Sequence, residues 1–207
     1  MTKVTTLDDA AFGEACASLQ RIVDESGFRP DIVVGIRSGG AYVSEKMWPD
    51  LPHAEVTSRR PSTDTKRGLS GTLLRGALRL MPRRLRDSLR IFEASRLEKR
   101  YEEGRRQGEI ERKVAARCVR IVWPDLFDKL PSGDVWLPPG SRVMIIDDAV
   151  DSGVTLEAVE TSLRKLRPDL QIRSAVLTVT FTSPIIRPDF ILYNDRRLIR
   201  FPWSIDS

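Results

Sequence analysis

Histidine and cysteine are nearly missing from this sequence of 207 residues, which has one His (His53) and two Cys (Cys16 and Cys118). So few of them exclude a multi-histidine metal centre, a cysteine-based zinc site and a disulfide framework. The default expectation is then a reducing, cytoplasmic location. Long apolar runs are missing too. Nothing approaches the roughly 18 consecutive apolar residues of a membrane-spanning helix, and the opening MTKVTTLDDAAF lacks the apolar core of a secretory signal. Gly and Pro, at 13 each, are too few for a collagen-like or low-complexity chain. What is present, 41% hydrophobic and 30% charged residues, fits one globular domain rather than a disordered chain.

The charge is modest but uneven. The chain carries 34 Lys+Arg against 29 Asp+Glu, a net of +5. Residues 66–120 alone hold 17 Lys+Arg and 7 Asp+Glu, so this stretch is +10 and the remainder is −5. A basic surface serves nucleic acid, an anionic membrane or a phosphorylated small molecule, and here it belongs to one segment.

Residues 7–26 read as an amphipathic helix, with Leu7, Ala11, Ala15, Leu19 and Ile22 at helical spacing and Thr6 as its N-cap. Asp31–Ile36 is a β-branched apolar run of the kind that forms a buried parallel strand. A turn, Arg37-Ser38-Gly39-Gly40, leads into a helix over 41–48, and 54–57 reads as a second strand. Helix with dense arginine is expected from Leu69 to about Arg120, followed by a proline-rich connection over 124–140. Arg142–Ile146 is the clearest buried strand. A helix opens at Gly153, a strand covers 172–180, and the tail reads as strand, turn, strand. Alternating strands and helices imply an α/β fold with a mostly parallel sheet flanked by helices.

The segment from Val143 to Thr155 carries the chemistry. Four apolar residues end in Asp147 and Asp148, at the strand end where open α/β sheets bind ligands. Ala149, Val150, Asp151, Ser152, Gly153, Val154 and Thr155 then form a small-residue entry to a helix, suited to holding an anion on backbone amides and hydroxyls. Adjacent carboxylates suit neighbouring sugar hydroxyls, so the whole reads as a sugar-phosphate site. A dinucleotide fingerprint and a P-loop are both missing.

These thirteen residues resemble the phosphoribosyl pyrophosphate (PRPP) signature of type I phosphoribosyltransferases: four hydrophobic residues, two acids and a loop ending in Gly-x-Thr. The resemblance implies that Asp147 and Asp148 hold the ribose hydroxyls and that 151–155 wrap the 5′-phosphate. It also implies Mg²⁺, met at Asp147 and Asp148 mainly through substrate oxygens and water. Asp151 has two readings: a proton donor or acceptor near N7 of a purine, or an acid that shapes the turn. Arg37, Ser38, Gly39 and Gly40 match the loop that holds pyrophosphate, with Arg37–Ser38 as the position for a cis peptide. On its own that stretch is an ordinary turn. Ser58–Gly68 matches the lid, and Arg59, Arg60 and Lys66 are its candidates to neutralise the leaving pyrophosphate.

The tail, 181–207, resembles the hood of 6-oxopurine members, where Phe190 or Trp203 would stack on the base. A core aromatic is the other reading of Trp203. This chain departs from those relatives in one respect. They carry a Lys on the strand before the hood, whereas Thr178–Ser183 contains none. The resemblance thus implies a single domain over 1–207, with a basic helical insertion at 69–120 and a C-terminal hood. Its partners would be PRPP and a purine-like or other heterocyclic base, with a homodimer as the assembly. The stripe Leu69, Leu73, Ala77, Leu80, Leu85, Leu89 and Phe92 is expected to pack on the core or a partner subunit, with a nucleic-acid or anionic-membrane surface as alternatives. Cys118 reads as a small core residue. Beside the enzyme stand two other functions: a PRPP-sensing regulator that binds nucleic acid through the insertion, and an interaction module.

Overall fold

The computed structural model describes residues 3–59, 82–124 and 137–204. Arg60, Lys66 and the part of the insertion from 69 to 81 lie outside the described residues, as do Leu69, Leu73, Ala77 and Leu80. In chain order the elements are β1 (Val4–Thr6), α1 (Asp9–Glu25), β2 (Ile32–Ile36), α2 (Gly39–Met47) and β3 (His53–Arg59). Next come α3 (Arg83–Arg106), α4 (Glu109–Ala115), β4 (Cys118–Val122) and β5 (Arg142–Val150). The chain finishes with α5 (Val154–Leu166), β6 (Gln171–Val179), β7 (Phe190–Tyr193) and β8 (Leu198–Arg200).

Among the described residues the main sheet has the order β4-β3-β2-β5-β6-β7, and every pairing in it is parallel except β3 with the edge strand β4. The α/β class and mostly parallel sheet are therefore as expected. Alternation along each strand splits the core. Ile32, Val34, Val143 and Ile145 face one way and bury Leu156, Val159 and Leu163 of α5. Val33, Met144 and Ile146 face the other way, against Phe12, Cys16 and Leu19 of α1 and Val43 and Met47 of α2. Each aliphatic side chain buried so fully contributes about 1.5–3 kcal/mol, which explains why runs without a single polar residue form the centre of the sheet. Cys16 is fully buried in this layer, and its thiol is pushed up to about 12 by that burial, so it stays protonated.

Several expectations need correction. Thr6 is the last residue of β1, paired with Arg200, and the cap of α1 is Asp8, whose Oδ1 accepts from the Ala11 amide at 2.8 Å. Strand pairing commits Thr6 to an extended backbone and moves the helix start by two residues. Cys118 is exposed, because β4 is an edge strand and Cys118, Arg120 and Val122 face outward while Val119 and Ile121 pack on the core. Cys118, Val119 and Arg120 pair with Arg59, Ser58 and Thr57, so these last residues of the expected insertion belong to the sheet.

The small second sheet pairs β1 with β8 in parallel and so brings residues 4–6 beside 198–200. Arg200, only 4% exposed, is held there by Thr6 Oγ1 at 3.1 Å and by Asp87 of α3 at 2.8 Å. Among the described residues no helix is long and apolar enough to cross a membrane.

Candidate active site

The sheet reverses its winding at β2 and β5. From β2 the chain moves outward to β3, then returns to add β5, β6 and β7 on the other side. Open sheets bind ligands at the carboxyl ends of such a pair. Gly35 of β2 pairs with Ile146 of β5, which puts Arg37 and Ser38 level with Asp148 and its neighbours. The Arg37–Ser38 peptide is cis, as expected. Helix α2 begins immediately after it, at two glycines whose missing side chains leave room for β5. A Cβ on Gly39 would lie 2.0 Å from Asp148 Oδ2, and one on Gly40 would lie 2.3 Å from the Ile146 carbonyl oxygen. The missing side chains let the two segments of the site touch.

Asp147 and Asp148 extend β5 rather than open a loop; Ala149 and Val150 continue the strand, pairing with Thr178 and Val179. The Asp148 amide donates to Asp147 Oδ1 at 2.9 Å, and the Ala149 amide donates to Asp148 Oδ1 at 3.0 Å. Burial pushes the Asp147 carboxyl well above the usual carboxylate range, and the negative Asp148 beside it adds to the shift. Burial also raises Asp148, against the hydrogen bonds it accepts. Asp151 is raised by burial too, opposed by a hydrogen bond from the Thr180 hydroxyl to its carboxylate. Among the described residues no cation pairs with any of the three. The site holds an unmet demand for positive charge or hydrogen-bond donors.

Gly153 takes φ +78°, the left-handed conformation that glycine favours, and turns the chain into α5. Among the described residues no side-chain cap closes this helix beyond Ser152 Oγ, at 3.5 Å from the Val154 amide, so its first-turn amides are open to an anion. Arg37, exposed at the other loop, pairs through Nε with Glu55 at 2.7 Å. Both partners face solvent, so this pair is weak and exchangeable.

Ala149 and Asp151 border a cavity of about 230 Å³, together with Thr178, Thr180 and Phe181 at the end of β6 and Leu198 and Ile199 of β8. Its remaining wall is α3, through Arg90, Glu93, Ala94 and Leu97. This contribution was not foreseen. The expected apolar stripe of the helix, Leu85, Leu89 and Phe92, is 50%, 44% and 68% exposed. The packed face is instead mixed: Glu98 accepts from the Thr182 amide at 2.6 Å and the Thr182 hydroxyl at 2.8 Å, and Tyr101 Oη donates to the Ser183 carbonyl at 3.1 Å. A helix lying on a polar hood packs by hydrogen bonds, and hydrophobic periodicity is blind to that. The hydroxyls of Thr178–Ser183 were the available signal.

Other expected residues lie elsewhere. Trp203 stacks on Phe201, with centroids 4.8 Å apart, and meets Phe12 edge-on at 5.0 Å. Phe190 packs in the same apolar layer beside α1. Neither borders the cavity, because β7 and the tail need these rings to seal the sheet. Asp189, just before Phe190, is also engaged in the fold. Its Oδ2 accepts from the Ser174 amide at 2.8 Å. Ser58 and Arg59 lie in β3 rather than in a lid.

The phosphoribosyl transferase domain model matches residues 96–203, just over half of the chain. The protein belongs to the phosphoribosyltransferase family, and its class is that of an enzyme transferring a phosphoribosyl group. Solved structures agree on the fold. A purine phosphoribosyltransferase from Pyrococcus horikoshii is 18% identical with a TM-score of 0.55, over 98% of this chain and 95% of that one. A xanthine-guanine-hypoxanthine phosphoribosyltransferase from Helicobacter pylori is 16% identical, TM-score 0.54, over 98% and 95%. A hypothetical protein from Neisseria gonorrhoeae with bound ppGpp is 15% identical, TM-score 0.53, over 98% and 90%. No curated protein sequence matches the chain.

Proposed function

We propose that the protein transfers the 5-phosphoribosyl group of PRPP to a purine-like base, releasing pyrophosphate. The observation that carries this reading is the contact of Asp148 with Gly39, which joins the ribose-holding acids to the pyrophosphate loop, next to a cavity bordered by Asp151. Asp147 and Asp148 accept hydrogen bonds from the ribose hydroxyls. The amides of 152–155 hold the 5′-phosphate at the start of α5, and Ser152 and Thr155 add hydroxyls. The loop 37–40 receives the pyrophosphate. There the bare backbone of Gly39 and Gly40 approaches closely, and Arg37 turns from Glu55 to the anion.

The ring nitrogen of the base attacks C1′ as the C1′–O bond to pyrophosphate breaks. The base loses a proton in the exchange, and Asp151 stands where it can take it. Its raised affinity for a proton suits that role. Most of the acceleration comes from positioning and from neutralising the leaving group. Arg59, Arg60 and Lys66 stay candidates for the second task.

Mg²⁺ fits the donor set. Asp147 and Asp148 are hard oxygen ligands without a cation partner among the described residues, and no cluster of three or more metal-ligating side chains exists there. The two acids would hold the ion together with substrate oxygens and water, and the ion would screen pyrophosphate charge. The test is pyrophosphate release from PRPP and Mg²⁺ across a panel of purines and pyrimidines. Turnover with a purine supports the reading. Release with no base, or only with a pyrimidine, overturns it.

A further inference from the structure

The cavity beside Asp151 is smaller than the about 300–1,000 Å³ of drug-sized sites, at about 230 Å³. It suits one flat ring system. Its walls differ in character. Phe181, Leu198, Ile199, Ala94 and Leu97 are apolar, and the Phe181 ring is flat. The hydroxyls at its inner end are already committed: Thr178 Oγ1 donates to the Arg197 carbonyl at 2.8 Å, and Thr180 donates to Asp151. Arg90 donates from Nη1 to the Ile199 carbonyl at 3.2 Å, which anchors it to β8. Glu93 differs from all of these. It stands one turn along α3 from Arg90, faces the cavity, and no described residue pairs with its carboxylate.

An unpaired carboxylate can only accept when ionised, and its two oxygens accept side by side. A base that offers a ring N–H next to an exocyclic amino group satisfies both. A base with a carbonyl in that place would set two acceptors against each other. We infer that α3, through Glu93, is the specificity wall of the acceptor site and selects an aminated fused-ring base over its non-aminated counterpart. Ala94 and Leu97, on the same face, limit the thickness of the slot. This rests on the proposed function, in that the acceptor occupies this cavity, and it deepens that reading by naming the edge that is read.

The experiment compares the wild type with Glu93→Gln and Ala94→Leu, using guanine and hypoxanthine as probes. The readouts are kcat/KM with saturating PRPP, and calorimetric binding of each base to the PRPP-loaded protein. PRPP affinity serves as the control for an intact fold. The wild type should prefer guanine, and Glu93→Gln should shrink that preference about 10- to 100-fold. Ala94→Leu should raise KM for both bases by a similar factor. An unchanged guanine-to-hypoxanthine ratio in Glu93→Gln overturns the inference while leaving the transferase reading intact. A wild type that binds PRPP but neither binds nor converts any base overturns both.

Discussion

The β5–α5 segment and helix α3 border the same cavity, yet they are built on opposite principles. In β5–α5 an all-apolar strand ends in acids, a positive-φ glycine turns the chain, and a helix begins with uncapped amides. Each step is local, and each follows from a residue type at a fixed offset. Helix α3 makes its contribution through distant partners: Glu98 with Thr182, Tyr101 with Ser183, and Asp87 with Arg200. The local device is fixed by the course of the sheet, whereas a change on the distant one, at the surface, need not disturb the sheet.

The sharpest way to break this comparison is at the acids. Replacing Asp147 and Asp148 with Asn should lower turnover by at least about 1,000-fold, as when preorganised charge is removed from a catalytic site, measured as pyrophosphate release. The same variant should be more stable without substrate. Both carboxyls titrate higher in the native state than in the unfolded chain, so between about 3.9 and those raised values the native state holds more protons. Wild-type stability then falls as pH rises through that window. Denaturant midpoints measured from pH 4 to 8 should show a decline that the double variant flattens.

A smaller effect is expected at the glycines. Gly40→Ala drives a Cβ against a main-chain oxygen and should destabilise by about 1–3 kcal/mol, as overpacking does. Gly39→Ala meets a side chain that can turn away, so it should fold but weaken PRPP binding, which calorimetry can read. Smaller again is Glu98→Gln on the α3 side. It weakens the hold on Thr182 and should lower stability by about 0.5–1.5 kcal/mol. Burial tends to raise the Glu98 carboxyl, but the Thr182 donors and Arg196 outweigh it and the net shift is downward. That portion of stability is present above the unfolded value and is lost as pH falls through the lower native one. Phe92→Ser, on the outer face of α3, should change stability by less than about 0.5 kcal/mol, and a larger loss would show that face to be covered.

The central strands and the glycine turn into α5 were legible, because periodicity and offsets encode them; the cis peptide was expected only from the family resemblance, and the contact of Gly39 with Asp148 emerged from the structure. The acids, the loop at 37–40 and Asp151 were singled out by the motif and the resemblance it carries, and the structure brings Asp148 against Gly39 and Asp151 to the cavity. The stripe of α3 was legible as a helix, but Leu85, Leu89 and Phe92 face away from the core, which leaves the partner-subunit reading of that stripe and not the core one. Hydrophobic spacing identifies a packed face only when the surface below it is apolar, and here that surface is Thr182, Ser183 and the buried Arg200. Phe190 and Trp203 left two readings open for the converse reason, and the structure places both rings in the apolar layer, the core reading given for Trp203. An aromatic near the end of a chain serves equally as a platform or as a seal, and only the position of Phe12 and Phe201 decides between them.

The pairing of β1 with β8 carries one more consequence, for the order in which the molecule is completed. Leu198 and Ile199 border the cavity and also form the strand that joins residues 4–6. The wall that β8 gives the cavity therefore forms only when this late strand docks against β1, so segments from the two ends of the described chain complete it together.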